Sequence, residues 1–320
     1  DESATNTDLF INGDTTKPIE YKYALNIESS DENLTKPMTA TEFALANVGA
    51  GGLETITHEI DDTLQVDSNF ATEYRYRGGD SVAKNHITFN NETWRIIGII
   101  PTEDTNGNVE NRFKIIKDES IGEYSRGTDW TTAELNEYLN NNYYNTLSTD
   151  AKNMIGTTKY YLGGYNTASI TTDVMWQYER KKANGGDCVY NPSNSYQTGS
   201  ECYFYQTFPI MQSDVNKKIA IMYASDYGYA SSKTCVKKLD NYNSNTECKE
   251  NWLNNFGAVL NQGTQNILVG FRVDNFLSYN PQFTQVGRNF NVHPTLTLSS
   301  NVQISGGEGT SGSPYILSEK

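Results

Sequence analysis

The chain has 320 residues, a net charge of −14 and a pI near 4.7. The acid excess argues against nucleic acid and anionic membrane surfaces, which are held by clustered Lys and Arg. No apolar run approaches the roughly 20 residues of a membrane span. The length suits about two domains. Its 22 Tyr outnumber its 12 Phe, which favours shallow cores and binding surfaces, because a tyrosine buries its ring and keeps a wet hydroxyl. The acid excess reads as a solvated surface, or more sharply as carboxylates gathered for calcium.

The first residues, Asp1-Glu2-Ser3-Ala4-Thr5, lack an initiator Met and read as a processed or truncated start. Lys17 to Ile27 alternates like a strand. Thr39 and Glu42 have capping-box spacing before a short helix through Phe43, stopped at Gly49-Ala50-Gly51-Gly52. Leu53, Ile56, Ile60 and Leu64 fit a helical stripe, while Ile56, His58 and Ile60 also fit a strand. We read residues 1–70 as an N-terminal strand and helix segment, packed on the main domain or on a neighbouring subunit, and 71–320 as the main α+β domain.

The main domain opens with Tyr74 and Tyr76 alternating with Arg75 and Arg77, a strand with one wet face. His86–Phe89 follows. The most apolar run, Asn90 to Ile100, pairs with Arg112–Lys117 as a β-hairpin across a turn at Asp104-Thr105-Asn106-Gly107-Asn108, where Asn-Gly supplies positive φ angles. Asp104, Asn106, Asn108 and Glu110 are also spaced like the opening of a calcium loop, but the glycine falls early and no bidentate Glu follows.

Thr131 and Glu134 predict a capped helix through Leu135, Tyr138, Leu139, Asn142 and Tyr143. A second short helix follows Ser148, then a strand at Lys159–Leu162 and a third helix from about Asp173 to Lys182. Further strands are expected at Lys218–Tyr223, Asn266–Phe271, Val292–Leu298 and Val302–Ile304, with a short helix around Trp252–Phe256 and a turn-rich tail from Gly306. Runs of strands and runs of helices predict α+β rather than alternating α/β.

The four cysteines form two local pairs by spacing, Cys188 with Cys202 and Cys235 with Cys248. The spacings are too wide for a zinc knuckle and no His lies near. Two loop-closing disulfides are the economical reading, with free buried thiols the alternative; disulfides imply an oxidising compartment outside the cytoplasm. His58, His86 and His293 match no metal or catalytic pattern. Phe276, Tyr279, Asn280 and Phe283 mix aromatics and amides in a loop between strands, the composition of a ligand-binding loop. Asn191–Tyr196 is a second such loop.

Taken together, Tyr74-Arg75-Tyr76-Arg77-Gly78, Phe89 to Gly98 and Lys114-Ile115-Ile116-Lys117 resemble a family of uncharacterised exported proteins of Gram-positive gut bacteria. Leu139-Asn140, Tyr143-Tyr144, Leu162-Gly163-Gly164, Ser225 to Ala230, Gly306 to Thr310 and Pro314-Tyr315 extend the match from about residue 53 to the end. The resemblance implies a surface-associated domain. More distantly, the order of elements is similar to C-type-lectin-like domains, among them formylglycine-generating enzymes and the variable ligand-binding proteins of diversity-generating retroelements. It implies a small twisted antiparallel sheet, two or three short helices and long disulfide-stapled loops. The reactive cysteine pair of the formylglycine enzymes is not evident, nor is the N-terminal apolar anchor, sometimes of prepilin type, that family members carry. The expected function is non-enzymatic adhesion or recognition of a surface glycan or protein. A filament or pilus built from copies of the chain is the first alternative, and a glycan-processing hydrolase using paired carboxylates is the second. No cofactor is expected, calcium being the one open case.

Overall fold

The computed structural model describes residues 36–60, 68–125, 133–160, 170–180, 211–212, 218–254, 256–258, 270–273, 282–284 and 289–320. Contacts divide the chain between Leu34 and Thr35, and the described residues all belong to the second unit. Its architecture is α+β, with antiparallel sheets and short helices.

Helix α1 (Ala40–Asn47) begins at the capping box read from Thr39 and Glu42: the Thr39 hydroxyl accepts from the Glu42 N–H, and the Glu42 carboxylate accepts from the Thr39 N–H. Its Phe43 meets Phe113 and Tyr315 edge-on at 5.6 and 5.1 Å, seating the helix on the sheet. Strand β1 (Leu53–Thr57) resolves the helix-or-strand ambiguity in favour of the strand and pairs with β2 (Thr72–Tyr76). Residues 53–57, read with the N-terminal segment, are therefore part of the main sheet, and the boundary in contacts lies well before residue 70. The strand read at Lys17–Ile27 lies outside the described residues.

Strand β3 (His86–Phe89) turns through Asn90 and Asn91, both at positive φ (54° and 57°), into the long strand β4 (Glu92–Glu103). The predicted hairpin joins β4 to β5 (Val109–Lys117) through Gly107 at φ 84°. One edge of β4 runs against β5; the other is divided between β3 and β2. Later come helix α2 (Thr172–Arg180), the two-residue strand β6 (Ile219–Ala220), helix α3 (Ala224–Tyr229) and strand β7 (Thr295–Thr297). The seven-stranded sheet runs β6-β7-β5-β4-β2-β1, with β3 also on β4. Nine successive residues of β4, Trp94–Thr102, are buried. Both faces of the central strand are covered, so its sequence reads as a continuous apolar run without alternation.

A bulge between Ile96 and Gly98 interrupts the β4–β5 register. A Cβ on Gly98 would come within 2.2 Å of the Tyr74 carbonyl oxygen and 3.1 Å of Arg75 Cδ. Glycine thus lets β2 approach where Arg75 leaves the backbone. Gly98→Ala forces this backbone contact apart and is expected to cost about 1–3 kcal/mol, read as a lower urea midpoint at unchanged slope.

Several sequence expectations shift. The helix that starts at Glu134 has no side-chain cap, and Thr131 lies outside the described residues. Its middle, Tyr138–Tyr143, widens to π geometry. Asn140, in that wide turn, binds strand β6 like a neighbouring strand: its Oδ1 accepts from the Ile219 N–H at 2.9 Å and its Nδ2 donates to the Ile219 carbonyl at 2.8 Å. The strand expected at Lys218–Tyr223 shrinks to two residues because the chain leaves the sheet to start α3. Trp252–Asn254 form a turn rather than a helix, while the loop closed by Cys235 and Cys248 holds a 3₁₀ turn (Leu239–Ser244) and a helical turn (Thr246–Lys249).

Candidate functional site

The wet face expected for strand β2 is buried. Glu73 and Arg75 are 2% and 1% exposed, because α2 and α3 close over that side of the sheet. On β5, Lys114 and Lys117 are buried as well. Helix α3, the segment Ser225–Tyr229 singled out by motif, is buried along its whole length. Gly228 lets it lie against the start of α2, since a Cβ there would meet Thr172 Oγ1 at 2.3 Å.

Asp226 is the hub. Its Oδ1 accepts from Arg75 Nη1, and its Oδ2 accepts from Lys114 Nζ at 2.6 Å and from the Tyr223 N–H at 2.7 Å. Arg75 also donates to Glu73, from Nε at 2.9 Å and from Nη2 at 3.1 Å. On the far side of Glu73, His58 Nε2 lies 2.9 Å from Oε1. The His58 ring stacks on Trp176 at 3.6 Å between centroids. Its Nδ1 is 3.5 Å from the Tyr229 hydroxyl, which donates to Asp173 at 2.6 Å. A chain of polar contacts thus crosses the core from exposed Asp173 to buried Lys114.

A second knot abuts the first. Glu179 accepts from the Ser225 N–H at 2.9 Å and from the Ser225 hydroxyl, and pairs with Arg180 at 3.2 Å. The Arg180 guanidinium lies over Trp176 (4.5 Å) and Tyr223 (5.3 Å), and Lys114 Nζ sits 4.2 Å from the Tyr223 ring centre. Three buried carboxylates, Glu73, Asp226 and Glu179, therefore face three buried cations, Arg75, Lys114 and Arg180.

Burial pushes each acid up, and neighbouring charges decide the outcome. At Asp226, Lys114 and Arg75 outweigh burial and hold the carboxyl below its usual range. At Glu73, Arg75 and His58 do the same. At Glu179 burial wins, with the nearby Asp226 charge adding to it, and the carboxyl is raised. Burial lowers the Lys114 ammonium despite the opposing pull of Asp226.

Beside this network lies a small cleft with about 40 Å³ of room. Lys114 and Arg180 reach it from the core, joined by Lys159, Tyr160, Tyr223 and three threonines. Glu103 is the acid among its described lining residues and pairs with Lys159. Its described lining holds three cations and one acid, and each cation is paired: Lys114 with Asp226, Arg180 with Glu179 and Lys159 with Glu103.

Cys235, Cys248 and Phe283, the described members of the site expected from sequence, lie outside this network. Cys235 and Cys248 are disulfide-bonded. Cys188, Cys202, Phe276, Tyr279, Asn280 and the loop Asn191–Tyr196 lie outside the described residues. Phe283 belongs to strand Gln282–Thr284, in register with Phe271. Asp104 turns its carboxylate onto its own loop: Oδ1 accepts from the N–H groups of Asn106 and Asn108 at 2.8 and 2.9 Å, and Oδ2 from Asn108 Nδ2 at 3.1 Å. Glu110 pairs with Arg112 at 2.9 Å. His293 and His86 contact backbone carbonyls, of Lys117 at 3.0 Å and Gly309 at 3.4 Å. The third, His58, sits inside the network, a placement without any local signal in the sequence. Charged residues alternating with Tyr on β2 and flanking Phe113 on β5 were the available hint of a buried polar layer.

No protein-family model matches the chain, and no curated protein or solved structure matches it.

Proposed function

We propose that the chain is an exported, non-enzymatic cell-surface protein that serves adhesion or recognition, on a C-type-lectin-like scaffold. The observation that carries this reading is the disulfide Cys235–Cys248, which closes a loop whose residues Val236, Lys237 and Lys238 are exposed. Such bonds persist in oxidising compartments. Among the described residues no helix is long and apolar enough to cross a membrane. The antiparallel sheet, its short covering helices and an interior held by ion pairs supply the rigid support that a display surface needs.

A binding screen of the full chain against arrays of surface glycans and surface proteins tests the proposal. Saturable binding to at least one class supports it; silence on both arrays removes it. The disulfide has its own check. Cys235→Ser frees a loop with a sequence separation of 13 and is expected to cost about 3 kcal/mol, seen as a lower melting temperature.

A further inference from the structure

We infer that strand β1 is the surface through which two copies of this chain pair, edge to edge, in a weak two-fold dimer. The inference does not depend on the recognition reading. The seven-stranded sheet has two ends, and they differ. At the β6 end, the Asn140 amide takes the Ile219 N–H and carbonyl as a neighbouring strand would. The β1 end has no such cap among the described residues. Two bonds, from the Arg77 N–H to the Gly52 carbonyl at 2.8 Å and from the His58 N–H to the Ala71 carbonyl at 2.7 Å, fix which residues of this segment bond to β2. They are the even-numbered ones, so the N–H and C=O groups of Thr55 and Thr57 point outward. Both residues are exposed, and no described backbone group bonds to either on that side. Open edges are usually guarded by Lys, Pro or a bulge. Leu53-Glu54-Thr55-Ile56-Thr57 has none of these, and its register on β2 is continuous.

The register names the occupant. A two-fold axis at Thr55 sets Thr55 against the partner's Thr55, Leu53 against the partner's Thr57 and Glu54 against the partner's Ile56. Threonine pairs favourably with threonine, and no like charges meet. The same register carries the exposed Glu59 to the partner's Gly51. Lys84 lies over that glycine: a Cβ on Gly51 would meet Lys84 Cβ at 3.0 Å and Cδ at 3.3 Å. Lys84 is exposed, and neither it nor Glu59 has an ion pair among the described residues. Symmetry makes this charge match twice. A foreign extended strand would satisfy the same backbone groups; a copy of this chain also supplies a lysine for Glu59 and a glutamate for Lys84. Because the β6 end is capped, the pairing closes at two copies. Five residues a side fall short of a standard interface, which makes the dimer weak and reversible.

The test is sedimentation equilibrium of the full chain at rising concentration, to about 1 mM. A monomer–dimer equilibrium that stops at two copies is expected. Thr55→Pro removes an outward N–H and no bond to β2, so the ladder within the fold survives. Both symmetry-related hydrogen bonds go, and the dimer is expected to weaken at least roughly tenfold. Glu59→Lys sets like charges against each other twice and is expected to weaken the dimer several-fold. Adding Lys84→Glu to Glu59→Lys exchanges the two signs and is expected to restore the parent affinity, a recovery that misfolding cannot imitate. The inference is overturned by a chain that stays monomeric to that concentration, by growth beyond two copies, by a dimer indifferent to Thr55→Pro, or by a charge-exchanged variant as weak as Glu59→Lys alone.

Discussion

Asp226→Asn is expected to lower the stability of the folded chain by about 3–5 kcal/mol, the cost of stripping one partner from a buried charge pair. Asp226 is 1% exposed and is the shared acceptor of Arg75, Lys114 and the Tyr223 N–H. An amide keeps one acceptor oxygen but brings an NH₂ to face Arg75 or Lys114; Lys114 loses its counter-charge and Arg75 is left with Glu73 alone. Neither can move to water, since Arg75 is 1% and Lys114 6% exposed. A urea melt reads the loss. A double variant, Asp226→Asn with Lys114→Met, is expected to recover part of it, because the stranded ammonium goes with the second change. A melt within 1 kcal/mol (about) of the unsubstituted chain would show that the network contributes packing and little charge.

The second large effect is acid unfolding. Glu73 and Asp226 have folded-state pKa values below their unfolded ones. Each therefore contributes stability above its unfolded pKa, about 4, and that contribution is lost as pH falls through the depressed folded value. Glu179 has the opposite sign. Its raised folded pKa gives a contribution that is full below the unfolded value and is lost as pH rises through the folded one. Within the network two depressed acids stand against one raised acid, and Glu42, Asp104 and Glu110 are also depressed, which predicts a net fall in stability once pH drops below about 4. The urea midpoint should be near its plateau at neutral pH and decline steeply in that acid range. Asp226→Asn should show a shallower decline. A midpoint that stays flat through the acid range, or a variant as steep as its parent, would mean that these carboxylates are not ionised in the fold.

How far the chain could be read in advance depends on which residues carry the signal. The Thr39–Glu42 box and the Ser148 cap each act within one turn of helix, and both appear where expected. The β4–β5 hairpin was legible because Ile and Trp mark the strands and Gly107 takes the positive φ of the turn, although Asn106 does not share it as expected. Failures came where distant segments decided the matter. Nothing near Ile56 chooses strand over helix until β2 supplies a partner. Nothing near Tyr223 ends strand β6 until α3 packs against α2 and the sheet.

The site shows the same division. Alternation along Tyr74-Arg75-Tyr76 is ambiguous, because a strand with charges on one face looks the same whether that face meets water or ion partners. The pairing of Cys235 with Cys248, by contrast, needs only a short intervening loop and was readable from spacing.

By itself, then, the sequence determined what short-range physics controls: caps, tight turns, the apolar central strand, the α+β pattern and a local crosslink. Tertiary structure alone decided that Glu73, Arg75, Lys114, Glu179 and Asp226 would meet inside the molecule, and that a cation-lined cleft would open beside them. The reason is physical. Burying a charge is unfavourable by itself and becomes tolerable only when its partner arrives from elsewhere in the chain, as Asp226 does for Lys114 from 112 residues away.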